Sequence, residues 1–287
     1  MGLIDSLQSG NFVIIAEIDP PKGTDTSSLL ETVNHLKGRV DALLVTDMPS
    51  AVMKMGSIAT GSFLKNQGFD IIANITCRDK NVIALQSDIL SASFIGIENI
   101  YITDGDDITF GDHPHAKAVN EVTAVELISI VAGMKNGVDH NDNTLDGTPK
   151  LNTGAYLNFN TSEKILIDKI EHLRKQDVTF FITDAVFDLE AFGDFSNKVK
   201  HLNIPIIANM ILLKSAATAR FLNKHVNGVD VPDSIIERLT SAGDKQKESM
   251  AITAELINGL KSLCNGVNIM AMGWEAKIPY FLDAAKV

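Results

Sequence analysis

The sequence predicts an α/β fold, a closed (β/α)8 TIM barrel forming a single domain over residues 1–287. Three observations carry that expectation. Short β-rich runs recur eight times along the chain, and each is followed by an amphipathic stretch. Several runs are apolar at consecutive positions, as in Val13-Ile14-Ile15-Ala16, which suits strands covered on both faces. Eight such units favour closure over an open sheet, and 287 residues with 45% hydrophobic and 21% charged residues supply a full-sized core.

The first strand is expected over 12–18, where an apolar run delivers Glu17 before Pro20 and Pro21 turn the chain into a helix over 27–36. A second strand over 42–46 ends at Asp47, and a third over 71–76 runs into Asp79 and a helix over 82–93. The fourth, over 99–103, meets Asp104-Gly105-Asp106 before a helix over 122–134. A fifth strand over 153–157 precedes a helix over 163–174, and a sixth over 179–183 is followed by Asp184. The seventh, over 204–210, leads to a helix over 216–223. An extra helical insertion is expected at about 226–264: Pro232 and Asp233 open one helix near Ile235, Ile236 and Leu239, and another runs over 248–263. The eighth strand covers 267–272.

Charge and motifs exclude several function classes. With 25 Lys+Arg against 36 Asp+Glu the net charge is −11, which repels nucleic acid and anionic membranes. Residues 1–10 lack a basic region followed by an apolar run, and no apolar stretch approaches the roughly 18 residues of a membrane span. Cys77 and Cys264 lack the spacing of a disulfide framework or zinc site, so a cytoplasmic protein is expected. There is no Gly-x-Gly-x-x-Gly or Gly-Lys-Ser/Thr phosphate loop. Gly111-Asp112-His113-Pro114-His115 offers two histidines without a third ligand and reads as a polar loop. Asp139-x-Asn141-x-Asn143 lacks the Gly and final Glu of a calcium loop. No metal site is expected, and Met53, Met55, Met270 and Met272 read as packing.

In a barrel of this kind the C-terminal strand ends form the active face. Here they carry Glu17, Asp47, Asp79, Asp104, Asp106 and Asp184. Each alone can cap a helix or sit in a solvated loop. Six converging on one rim raise some of their pKa values, which is how an enzyme obtains a general acid at neutral pH. Glu17, carried by an apolar strand, is the first candidate for that acid.

The same residues resemble the methylenetetrahydrofolate reductase family, particularly its short bacterial form, from about Glu17 to Ala285. The likeness rests on Glu17-Ile18-Asp19-Pro20-Pro21-Lys22-Gly23, Val45-Thr46-Asp47, Thr76-Cys77-Arg78-Asp79-Lys80-Asn81, Ala84-Leu85-Gln86-Ser87-Asp88, Gly111-Asp112-His113-Pro114, Lys214-Ser215-Ala216, Ala219-Arg220-Phe221-Leu222-Asn223 and Met272-Gly273-Trp274-Glu275. The resemblance implies a (β/α)8 barrel that holds FAD, takes a hydride from NADH or NADPH, and reduces 5,10-methylenetetrahydrofolate to 5-methyltetrahydrofolate. It implies Glu17 as the catalytic acid that opens the methylene bridge. It implies Asp106 as a second catalytic carboxylate beside the flavin and pterin, Thr46 as a flavin contact, and Tyr156 and Lys214 as further cofactor-binding residues.

Several positions depart from the family pattern. Asn74 replaces His or Gln, Asp104 replaces Thr or Arg, and Asp184 replaces a folate-binding glutamine. Gln176-Asp177-Val178 replaces an Ala-Gly-Ala turn, and Leu173 stands where a lysine often meets the cofactor phosphates. Together they remove positive charge and add carboxylates where a diphosphate would lie, which weakens FAD binding. Asn74 and Asp104 stay candidates for the cofactor pocket, and Asn74, Asp106 and Asp184 for folate. Three functions are therefore carried forward. One is a reductase using FAD and NAD(P)H. Another is a flavin-free methyltransferase moving a methyl group between tetrahydrofolate and a corrinoid protein or other acceptor. The last is a non-catalytic subunit of a one-carbon complex, assembled with a redox or corrinoid partner. A homo-oligomer fits any of them.

Overall fold

The computed structural model describes residues 2–226 and 228–287; Met1 and Asn227, the latter at the start of the expected insertion, lie outside the described residues. Eight parallel strands close in sequence order: β1 (Val13–Ile18), β2 (Ala42–Val45), β3 (Ile71–Thr76), β4 (Asn99–Thr103), β5 (Asn152–Leu157), β6 (Val178–Ala185), β7 (Ile206–Ile211) and β8 (Gly266–Met270). The ring is sealed by β1 against β8, with Ile15 opposite Asn268. The chain is thus a single-domain (β/α)8 barrel.

The described residues form eleven α-helices: α1 (Leu3–Gln8), α2 (Ser27–Asn34), α3 (Ser57–Lys65), α4 (Val82–Phe94), α5 (Ala124–Lys135), α6 (Glu163–Lys175), α7 (Leu189–Val199), α8 (Ala216–His225), α9 (Asp233–Ser241), α10 (Lys245–Leu260) and α11 (Ile278–Ala285). Of these, α8, α9 and α10 all lie between β7 and β8. The sequence reading had no boundaries for α1, α3, α7 and α11. The first three are short or carry a glycine, Gly61 in α3 and Gly193 in α7, which lowers helix propensity. At Gly61 the glycine is needed, because a Cβ there would meet Ile71 at 2.9 Å. No helix of the described residues is long and apolar enough to cross a membrane.

Two apolar clusters follow from strand parity, since alternate side chains point to opposite faces. Ile14, Ala16 and Ile18 join Leu43, Val45, Ala73 and Ile75 beneath the helices. Val13 and Ile15 point the other way and fill the barrel with Ala42, Leu44, Ile72, Phe180, Ile182 and Ile207. Leu3 and Leu7 of α1 belong to this inner cluster and plug the N-terminal end of the barrel. The Asp70 carboxylate ties α1 in place by accepting from the Leu3 N–H at 2.7 Å.

Candidate functional site

Parity also selects what reaches the open mouth. Counting on from the inner apolar residues, the inward positions at the C-terminal ends are Glu17, Thr46, Asn74, Tyr101, Tyr156, Asp184, Asn209 and Asn268. The barrel interior is therefore apolar below and polar above. A cavity of about 550 Å³ opens there, lined among others by Glu17, Thr46, Asn74, Tyr101, Asp104, Asp106, Tyr156 and Lys169.

Glu17 is half-buried, and its pKa is pushed up to about 7. Burial is the largest cause, and the charges of Asp19, Asp106 and Glu275 act in the same direction. Opposing them, the Asn268 side-chain amide donates to Glu17 Oε2 at 3.2 Å. Asn268 is 1% exposed and also donates to Asn209 Oδ1 at 3.0 Å. The result is a carboxyl that exchanges its proton near neutrality, the property a general acid needs. Tyr101, half-buried beside it, has its phenol pushed far up by burial and by the charges of Glu17 and Asp184 among others, so its hydroxyl stays neutral.

The other acids are held in place by backbone donors and cations. Asp106 accepts from the Ser50 N–H at 2.7 Å, steadying a turn in which Met48, Ser50 and Ala51 all have positive φ. Asp104 accepts from the Ala124 N–H at 2.7 Å and so caps the start of α5. Asp47 pairs with Lys80 at 3.1 Å and accepts from the Thr76 N–H at 3.2 Å. Asp79 takes the fork of Arg78, whose remaining donors reach the carbonyls of Asp106 at 3.1 Å and Met48 at 3.2 Å. Four of the six acids expected on the rim, Glu17, Asp47, Asp104 and Asp106, line the cavity. Asp184 lies within β6 rather than after it, because that strand runs on to Ala185. Its carboxylate accepts the Tyr156 hydroxyl, while burial raises its pKa.

The remaining candidates divide by their bonds. Thr46 lines the cavity and donates to Asp19 Oδ1 at 2.8 Å. Asn74 lines it too, but its amide serves the barrel, donating to the Tyr101 carbonyl at 2.9 Å and Thr103 Oγ1 at 3.1 Å and accepting from the Asp47 N–H. Lys214 stands outside the lining, with its ammonium on the Met272 carbonyl and 5.6 Å from the Trp274 ring centroid.

The recognisable loop motifs tie the rim together. Asp112 accepts from the Lys22 ammonium and from the Met53 N–H, which joins the loops after β1, β2 and β4. Gly111 is required at that junction, since a Cβ would lie 1.9 Å from the Ala51 carbonyl oxygen. Among the described residues no group of three or more His, Cys, Asp or Glu is arranged to hold a metal ion.

Sequence reasoning missed Asn209, Asn268 and Lys169. A lone amide in each of Ile207-Ala208-Asn209-Met210 and Val267-Asn268-Ile269 was the available signal, because a polar side chain inside an apolar strand must find a buried partner. Leu173 is buried under the barrel wall, while Lys169, one turn earlier on α6, lines the cavity.

The chain matches the family described as methylenetetrahydrofolate reductase over residues 3–285. The curated methylenetetrahydrofolate reductase 2 of Schizosaccharomyces pombe is 25% identical over 295 aligned positions, covering 92% of this chain and 43% of that protein. The chain therefore spans less than half the length of that relative. An uncharacterized protein from Clostridium thermocellum that binds two copies of 5-methyl-5,6,7,8-tetrahydrofolic acid superposes with a TM-score of 0.62 at 20% identity, covering 99% of this chain and 97% of that one. The coenzyme F420 dependent tetrahydromethanopterin reductase of Methanopyrus kandleri superposes with a TM-score of 0.57 at 12% identity, covering 95% and 97%. At these identities the two structural likenesses speak for the fold.

Proposed function

The chain belongs to the methylenetetrahydrofolate reductase family, and from that membership we propose that it binds a reduced folate in the barrel mouth and activates the one-carbon unit at N5 by proton transfer from Glu17. The observation that carries this reading is a carboxyl with its pKa pushed up to about 7, lining a cavity in which Asp47, Asp104 and Asp106 accept backbone N–H bonds. A pterin offers paired N–H donors along its aminopyrimidine edge, and a carboxylate such as Asp106 accepts them in pairs. The ligand named for the Clostridium thermocellum protein, 5-methyltetrahydrofolate, is of this class.

The flavin that the family resemblance implies needs positive charge for its diphosphate. The cavity is lined by two cations, Arg78 and Lys169, against Glu17, Asp47, Asp104 and Asp106. Arg78 is 2% exposed and committed to Asp79 and two carbonyls. This lining does not fit a diphosphate, and it favours flavin-free methyl transfer. In that reaction Glu17 gives its proton to N5 of 5-methyltetrahydrofolate, an acceptor attacks the methyl carbon, and the C–N electron pair returns to N5. The acceptor is a corrinoid protein or another nucleophile. The second reading, reduction of 5,10-methylenetetrahydrofolate with FAD and NAD(P)H, is favoured by the family match and by the name of the curated relative.

An absorption spectrum of the purified protein, with and without added FAD, combined with calorimetry against 5-methyltetrahydrofolate, tests both. Folate binding without flavin absorbance supports methyl transfer. A yellow protein bleached by NADH overturns it in favour of the reductase. Failure to bind any reduced folate removes both.

A further inference from the structure

One helix of the outer layer shows no charge to solvent. α4 buries Leu85, Ile89 and Ala92, and its exposed residues are Ile83, Ser87, Leu90, Ser91 and Phe94. Its one charged residue, Asp88, is half-buried and paired with Lys80 at 2.8 Å. Each of the other ten helices carries at least one charged residue at an exposed position. The apolar side chains of this face also stand far out in water, with Ile83 at 73% and Phe94 at 90% exposure. Covering them removes apolar area from water without stranding a charge. None of the five exposed residues lines the barrel mouth.

Spacing and charge say what covers it. Ile83, Ser87, Leu90 and Phe94 follow at intervals of four, three and four, the alternation by which one helix seats its side chains between those of another. The stripe is self-complementary. Turned end to end about its midpoint, α4 sets Ile83 against Phe94 of a second copy and Ser87 against Leu90, so that a small residue meets a large one at the centre and two large ones close each end. Two copies that each carry a net charge of −11 repel one another wherever acids face acids, and a two-fold contact sets a patch against itself. On α4 that repulsion has no source. We propose that α4 is a homodimer interface, packed antiparallel against α4 of a second copy across a two-fold axis. The proposal is independent of the reduced-folate reading. A single helix pair is smaller than the roughly 800 Å² per partner of a standard interface, so the dimer is expected to be weak, with a Kd on the order of 10 μM.

Sedimentation velocity over about 1 to 200 μM protein tests this, with monomer expected to pass to dimer as concentration rises. Ser87→Glu places a carboxylate from each copy in the seam and is expected to weaken association roughly tenfold or more. Asn197→Glu, the same charge added at an exposed position of α7, is expected to leave association unchanged. Ile83→Cys and Phe94→Cys in one chain lie about 16 Å apart along the helix, too far to bridge within a copy, and oxidation at high concentration is expected to link two copies. Wild-type protein that stays monomeric throughout overturns the proposal and leaves the face to a partner of another kind. A dimer indifferent to Ser87→Glu, or equally weakened by Asn197→Glu, overturns the α4 interface, and failure of the paired cysteines to link copies overturns the antiparallel pairing. The concentration series needs no variant, so a poorly folding substitution does not decide the matter.

Discussion

Asn268 Nδ2 donates to Glu17 Oε2 at 3.2 Å across the seam where β8 closes against β1. This bond opposes the main influences on the Glu17 proton. Burial and three neighbouring carboxylates drive the Glu17 proton affinity up, and the Asn268 amide, which can donate to the ionised form, pulls it back toward neutrality. Asn209 holds Asn268 from the other side, so the acid is tuned by a chain of two amides inside the barrel.

Replacing Asn268 with Leu removes the contribution that lowers the Glu17 pKa. The midpoint is expected to move upward from about 7, by about one pH unit for a hydrogen bond of ordinary strength. Infrared titration of the protonated carboxyl band, difference-assigned with Glu17→Gln, reads this without substrate. In turnover, the alkaline fall in rate shifts to higher pH by the same amount. An unmoved midpoint contradicts the tuning role.

Stability carries the same signature with a definite sign. The Glu17 pKa is about 7 in the folded chain against an ordinary 4.5, so between those values the folded state holds the proton and the unfolded state has released it. Its contribution is fully present below about pH 4.5 and is lost as pH rises to about 7. The loss is on the order of 2 kcal/mol, after discounting for partial exposure. Glu17→Gln keeps a neutral side chain at every pH and is expected to flatten this part of the profile, with the variant the more stable protein above pH 7. Urea midpoints measured from pH 5 to 8 in both proteins decide it; parallel profiles refute the assignment.

The barrel was legible because its signal is repeated: eight apolar runs with helical stretches between them leave few other folds. Glu17 was legible because an apolar strand delivers it before Pro20 and Pro21 turn the chain; that it is in phase with the inward-pointing Val13 and Ile15 is what the structure adds. What escaped was pairing across the β1–β8 seam. Asn268 and Glu17 are 251 positions apart, and no local pattern joins them. Asp104 showed the opposite difficulty: its sequence position at a strand end suggested the pocket, and it does line the cavity, but its carboxylate also caps α5. Asn74 likewise lines the mouth while its amide is occupied by the barrel wall.

Arg78 should not tolerate lysine. Its fork binds both oxygens of Asp79, at 2.8 and 2.6 Å, while two further bonds hold the carbonyls of Asp106 and Met48. A lysine ammonium cannot span this geometry, because it replaces a planar fork with a single point of donation. Arg78→Lys is expected to lower stability by about 2 kcal/mol and to weaken reduced-folate binding at least tenfold, by releasing the loop that presents Asp106. Thermal melts and calorimetry measure the two effects; a stable variant with full affinity would show that the loop is positioned without Arg78.

Gly154 and Phe180 face each other across the β5–β6 pair, both pointing into the barrel. A Cβ on residue 154 would sit 2.4 Å from two atoms of the Phe180 ring. That ring is fully buried among Val13, Ile15, Leu44 and Ile72, so it cannot swing aside without displacing the inner core. Gly154→Ala is therefore expected to cost about 1–3 kcal/mol, although alanine ordinarily favours a strand no less than glycine does. Phe180→Leu alone leaves a cavity and costs a similar amount. In the double variant the methyl occupies space that the ring has vacated, and the loss should be smaller than the sum of the two, by at least about 1 kcal/mol. Additive losses would mean that the ring and the glycine do not share this space. Because Tyr156 lies two residues beyond Gly154 on the same face of β5, the single Gly154→Ala change should also weaken folate binding, and Phe180→Leu should restore it.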